Sequence, residues 1–324
     1  MPGETGPTAE MANIVSREIF SVFGWNRRPH KDQNWKCVVK AHKRSDHPSD
    51  VVFSYDSPLE SDRIYLTTDL KSYAASTITK DKLQDALVSL SVSAECANQS
   101  DDWRHLYADT EENYRVHGLL FVYNHDGGYD RNFPKLLSHI KQSALKIKPA
   151  YRIYVFGPEE ITYLYTVAGD ILKRRGAGEL PAAEHCKFYH PDLVRARVKS
   201  NTLTAATAEM LLAPWLIIKY EATKATDNRA GYIIYYRETA ADADELKFLL
   251  DYLFRCQLVG EDISIEIRAP FAVEKASAFF ETAKEQYAKE YFNLPEFKRR
   301  LDCIKFTLLP TALPQFSKVE LGMD

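Results

Sequence analysis

A carboxylate at the end of an otherwise apolar run limits how this chain can fold. Arg63–Asp69 (RIYLTTD) reads as a β-strand, yet it ends on Asp69, and Lys71 follows two residues later. A charge in such a segment is costly unless something pairs with it. Side chains two apart on a strand share a side, so Asp69 and Lys71 face the same way. Asp50–Tyr55 (DVVFSY) is a second strand and begins on an acid. If the two strands pair as a hairpin, Asp50 comes beside the other two, and two carboxylates and an ammonium converge. Oxygen donors of this kind take Mg²⁺ or Mn²⁺. Such an ion lowers the pKa of a bound water and offsets charge on a phosphate, while the lysine orients or activates the attacking water. The alternative is that Asp69 and Lys71 are exposed strand-end residues.

Strand and helix signals alternate around this pair. Asn13–Phe23 places Ile14, Ile19, Phe20 and Phe23 at helical spacing, carries Glu18 and meets a stop at Gly24. Trp35–Ala41 (WKCVVKA) reads as a strand ahead of the two already named, with turn-rich segments at 43–49 and 56–62 between them. Three strands so close together predict an antiparallel meander. Lys80–Ala97 is a helix with Leu83, Leu87, Leu90 and Ala94 on one face and Thr79 as its cap. Val116–Tyr123 is a strand that ends in the turn His125-Asp126-Gly127-Gly128. Phe133–Leu145 is a helix, Tyr151–Phe156 a strand, and a further helix runs from about Glu159 to Arg174. This order is an α/β layer arrangement. Lys173–Pro181 (KRRGAGELP) reads as a linker. Beyond it, Gly231–Arg237, Asp244–Cys256, Ile263–Arg268, Glu274–Tyr291 and Cys303–Leu309 form a β-α-β-α-β series. Two domains are expected, residues 12–175 and 182–324, the second an α+β unit.

Composition narrows the function classes. With 45% hydrophobic and 12% aromatic residues, 324 positions can bury more than one core, and no apolar run is long enough to span a membrane. The first ten residues are polar and lack the basic-then-apolar pattern of a leader, so a cytoplasmic protein is expected. Cys37, Cys96, Cys186, Cys256 and Cys303 form no Cys-x-x-Cys pair. That spacing argues against a disulfide framework and a structural zinc site, and predicts reduced, mostly buried thiols. His42 and His47 lie beside the first motif, where a histidine can contact nucleic acid or a metal, or do neither. The absence of a phosphate-binding Gly-rich lysine loop argues against ATP use. The net charge is −3, but residues 130–224 carry 15 basic against 9 acidic side chains, a stretch suited to meeting phosphates.

Asp50, eighteen intervening residues and then Asp69-Leu70-Lys71, set on strands behind a helix that carries an acid, resemble the core of the PD-(D/E)xK nuclease superfamily. The resemblance covers roughly residues 12–125. It departs from the pattern in one place, since Pro48-Ser49-Asp50 has a residue inserted between the proline and the acid. It implies a restriction-endonuclease-like α/β fold, a sheet flanked by helices with the α+β unit appended. Asp50, Asp69, Lys71 and Glu18 become the catalytic set, with Asp50, Asp69 and Glu18 as ligands of Mg²⁺ or Mn²⁺. The expected substrate is nucleic acid, DNA ahead of RNA, in a restriction or phage-defence setting. Ser72, Lys173, Arg174, Arg175, Arg195, Arg197 and Lys199 are the expected nucleic-acid contacts. The C-terminal unit is expected to serve a partner protein, homo-oligomerisation or sensing. The competing reading is a catalytically inactive binding or scaffold protein with the same fold.

Overall fold

Helix α1 (Pro7–Val22) forms where Met11, Ala12, Val15, Ile19 and Phe20 recur at helical spacing and bury one face. It stops where Gly24 takes a left-handed φ of 80°. The computed structural model describes residues 7–58, 62–108, 113–145, 147–148, 150–190, 201–260, 262–291 and 295–315. They divide into two compact units: the described parts of 1–165 with the stretch from Leu313, and Thr166–Ala312.

In the first unit α1 is followed by β1 (Asn26–Arg27), β2 (Gln33–Lys36), β3 (Asp46–Ser49), β4 (Val51–Asp56) and β5 (Arg63–Tyr73). Then come α2 (Lys80–Ala97), α3 (Asp101–Tyr107), β6 (Tyr114–Asn124), α4 (Phe133–Ser138), α5 (Gln142–Leu145), β7 (Ile153–Phe156) and α6 (Pro158–Gly176). The main sheet has the order β1-β4-β5-β6-β7. β4 and β5 pair antiparallel, whereas β5–β6 and β6–β7 are parallel. On one face the Phe20 ring of α1 meets Trp25, Phe53, Phe121 and Phe156 at centroid distances of 4.2, 5.0, 5.8 and 5.7 Å. Burying a side chain of this size contributes about 2 kcal/mol. On the other face Leu83, Leu87 and Leu90 of α2 pack with Leu120 and Val122 of β6. The Thr79 side chain caps α2 by accepting the Lys82 amide.

Several expected elements differ. The strand expected over Trp35–Ala41 ends at Lys36 and pairs with β3 in a separate two-stranded ribbon, so β4 and β5 do not continue it as a meander. Beyond Lys36 the chain enters a 3₁₀ turn at Lys40–His42, closed by Lys43 in the left-handed region. This lets Cys37 and Val39 pack into a local cluster with Trp35, Cys96 and Trp103. The Asp-x-Lys pair lies within β5, not at its end, because pairing with β6 carries the strand on to Tyr73. The helix expected over Phe133–Leu145 is two short ones, broken where Ile140 folds back to bond Leu137 and bury.

The division between the units falls within α6. The second unit continues with β8 (Cys186–Tyr189), β9 (Thr202–Leu203), α7 (Ala208–Leu212), β10 (Trp215–Tyr220), β11 (Gly231–Tyr236) and α8 (Ala243–Arg255). It closes with β12 (Ser264–Ala269), α9 (Ala276–Tyr291), α10 (Pro295–Asp302) and β13 (Ile304–Leu308). The sheet order is β13-β12-β11-β10-β8-β9. β11, β12 and β13 are parallel, as a β-α-β-α-β series requires, and β10 joins β11 antiparallel. Leu246, Leu249, Leu250 and Leu253 of α8 pack into the core of this unit. A polar network is buried within it. Asp170 accepts hydrogen bonds from Arg268 Nε and Nη2, each at 2.7 Å, and from the Tyr235 hydroxyl at 2.8 Å. Arg174 and Arg268 both reach Glu266. Asp170→Ala strands a buried guanidinium, so urea unfolding of this variant is expected to show a loss of about 3 kcal/mol or more; a loss below about 1 kcal/mol would mean that the network adds nothing.

Candidate active site

The site follows from a mismatch in strand length. The β4–β5 ladder pairs Val51 with Thr68 and ends there, which brings Asp50 opposite Asp69. Among the described residues β5 continues without a strand neighbour on that side, and its Leu70 amide has no strand partner there to donate to. The Asp50 carboxylate takes that role, accepting the Leu70 N–H at 2.8 Å. Asp69 and Lys71 pair in register with Leu120 and Val122 of β6, the residues on which α2 packs, so both project from the face that carries α2. Lys71 Nζ lies 2.6 Å from Asp69 Oδ1. Asp50, Asp69 and Lys71 are therefore together, as the hairpin argument expects.

Electrostatics mark the cluster as short of positive charge. Burial, reinforced by the Asp69 carboxylate and more weakly by Asp32, raises the Asp50 pKa from 3.8 to about 7, against the opposing Leu70 amide and Lys71. Burial works against the Lys71 ammonium, but Asp69 and Asp50 outweigh it and hold its pKa above the ordinary value. Lys71 is thus a proton-bearing donor at neutral pH.

Sequence reasoning missed neighbours of Asp50. Asp32, in a left-handed turn (φ 52°), donates its amide to the Asp50 carbonyl at 2.9 Å. A lone Asp in a loop carries no sequence signal for this. Ser49, the residue inserted into the first motif, is buried; its hydroxyl accepts Trp35 Nε1 at 3.1 Å and bonds Thr67 Oγ1 at 3.0 Å. Burial, with the Asp32 and Asp50 charges, pushes the nearby Tyr107 phenol up to about 12.

The other expected residues are placed differently. Glu18 is exposed on α1, the layer on the opposite face of the sheet. Ser72 alternates to the side away from Asp69 and Lys71, is buried, and bonds His125 Nδ1 at 3.2 Å. Lys173 is exposed on the last turn of α6, Arg175 is half-buried there, and Arg174 is engaged by Glu266 and Glu179 within the second unit. Arg195, Arg197 and Lys199 lie outside the described residues. The His125–Gly128 segment is the expected tight turn, with Gly127 at φ 62° and Asp126 accepting the Ala75 amide.

The first unit is a mixed sheet between helical layers that carries an acid beside an Asp-x-Lys. Residues 1–160 match the family model described as GAPS4 protein PD-(D/E)XK nuclease domain, and this domain belongs to the PD-(D/E)xK nuclease superfamily. No curated protein matches the chain. Members of the superfamily generally use divalent metal ions. The residues here fit one: the donors are carboxylate oxygens, and a half-buried carboxylate sits beside like charges with a single lysine to offset them.

Asp50 also sets a pH dependence. Because its pKa is raised on folding, its contribution to stability is fully present below about pH 4 and is lost as pH rises through about 7. In chelator, wild type is expected to lose thermal stability relative to Asp50→Asn across that window. Parallel melting profiles for the two proteins would show that Asp50 does not titrate there.

Proposed function

We propose that this domain hydrolyses phosphodiester bonds of nucleic acid, DNA ahead of RNA, with Mg²⁺ or Mn²⁺ held by Asp50 and Asp69. The observation that carries the reading is the convergence of Asp50, Asp69 and Lys71 at the point where β5 outruns β4. Asp50 is oriented by the Leu70 amide, and Asp69 is oriented by Lys71. These carboxylates would hold a divalent ion, which when bound would supply an activated water and a counter-charge for the phosphate. Lys71 keeps its proton at Nζ, orients the attacking water by donating to it, and offsets charge that builds on the phosphate oxygens. Asp32 is a better placed third acid than Glu18, because it adjoins Asp50 through the backbone.

In the same reading the protein acts in the cytoplasm as a restriction or phage-defence effector, consistent with the family its first half matches. The second unit serves a partner, self-association or sensing. No described helix is long and apolar enough to cross a membrane.

The test is incubation of purified protein with plasmid DNA, single-stranded DNA and RNA, each with Mg²⁺, with Mn²⁺ or with chelator. Wild type is expected to cleave only with metal. Asp69→Asn and Lys71→Ala are expected to fall by about a hundredfold or more while keeping the wild-type circular dichroism spectrum. Cleavage that survives in Asp69→Asn would move the chemistry elsewhere. Failure of wild type on every substrate would favour the inactive scaffold.

A further inference from the structure

The first unit holds a second cluster of ligating groups, of different chemistry. Cys37, His42, His47 and Cys96 each bring one potential ligand atom to within 4.8 Å of one another. Cys37 directly follows β2, His42 ends the 3₁₀ turn, His47 lies on β3, and Cys96 is near the end of α2. The Cys37 and Cys96 sulfurs are 3.9 Å apart, and Cys37 Sγ is 3.6 Å from His42 Nδ1. Around a tetrahedral zinc with Zn–S of about 2.3 Å and Zn–N of about 2.05 Å, the corresponding spacings are about 3.8 Å and about 3.6 Å. Two of the six ligand spacings therefore already match such a site, and the others lie within 4.8 Å.

Three further observations point to a ligand. His47 is fully buried, and neither ring nitrogen has a hydrogen-bond partner among the described residues. A buried imidazole is seldom left so. Its ring lies against Trp35 (centroids 4.8 Å) and edge-on to His42 (5.5 Å, 84°), within the cluster. His42 turns Nδ1 to Cys37, and its Nε2 lies 3.4 Å from Oε2 of Glu95, within ion-pair reach of a carboxylate on the side away from the sulfur. The Val38 amide donates to Cys96 Sγ at 3.2 Å, a bond that suits a thiolate.

We infer that Cys37, His42, His47 and Cys96 form a structural site for a tetrahedral, thiophilic divalent cation of the zinc class. Binding converts the two thiols to thiolates and releases two protons to solvent, while both imidazoles stay neutral. Two thiolates balance the dication, so the complex carries no net charge, as burial requires. The sulfur and imidazole donors separate this site from the all-oxygen site at Asp50 and Asp69, which suits harder ions. The ion would tie the β2–β3 ribbon to α2. That ribbon ends at Ser49, the residue before Asp50, so the site would hold the first acid in place from behind.

The test is elemental analysis of the full-length protein purified under reducing conditions, with Co²⁺ substitution to reveal thiolate coordination in the absorption spectrum. One zinc per chain is expected in wild type and in Asp69→Asn, which separates this inference from the nuclease reading. Cys37→Ser, His47→Gln and Cys96→Ser are each expected to lose most of it. Should a variant fail to fold, titration of wild type with an organomercurial is expected to release its zinc as two thiols react. Wild type without zinc and without Co²⁺ binding, zinc that persists in the variants, or a Cys37–Cys96 disulfide in the reduced preparation would each overturn the assignment.

Discussion

Parallel pairing with β6 holds β5 extended from Asp69 to Tyr73, beyond the last position at which β4 pairs with it. Over this stretch β5 has lost one neighbour and kept the other. It stays rigid, yet one edge is open. The unmet Leu70 amide draws in the Asp50 carboxylate, and strand alternation turns Asp69 and Lys71 to a common side. The site thus depends on unequal strand lengths inside an otherwise regular sheet. The Phe20 cluster on one face and the α2 leucines on the other press the sheet into that arrangement.

At the open edge, burial and the Asp69 carboxylate both oppose the charge of Asp50. The surrounding polar groups are arranged to tolerate this. Lys71 lies against Asp69, and the Ser49–Thr67–Trp35 bonds fill the space behind Asp50 without adding charge. Ser49 is the residue that interrupts the usual spacing of proline and acid, and its buried hydroxyl gives that departure a structural role.

The same ribbon that delivers Asp50 carries His47 and adjoins Cys37 and His42. β2 and β3 form only a two-stranded ribbon, which by itself has little stability in water. Its anchorage comes from Trp35 in the local apolar cluster and from the Cys37–Cys96 contact to α2. In this domain, positioning of the first acid and anchoring of the ribbon are one problem.

Local pattern determined much of the fold. Lys80–Ala97 is helical at the expected residues because its apolar stripe and its Thr79 cap are properties of the segment alone. The shared side of Asp69 and Lys71 follows from strand period, and the β-α-β-α-β series near the C-terminus follows from alternating signals. What depended on contacts distant in sequence was not legible. The apolar residues after Lys36 read as strand, but they leave the extended conformation to pack against residues beyond position 95. β8 to β10, including the apolar WLIIKY run, escaped notice, as did α3. Asp32 gives no local sign that its turn lies beside Asp50. Cys37 and Cys96, far apart in sequence, lack the short spacing by which metal ligands are recognised, yet folding α2 onto the sheet brings them to 3.9 Å. The sequence by itself determined which segments are helix or strand and which side chains share a strand face, because those are properties of neighbouring residues. Only the tertiary structure decided which acids stand next to one another and which sulfurs and imidazoles meet, because those distances are set by packing elements that the chain separates.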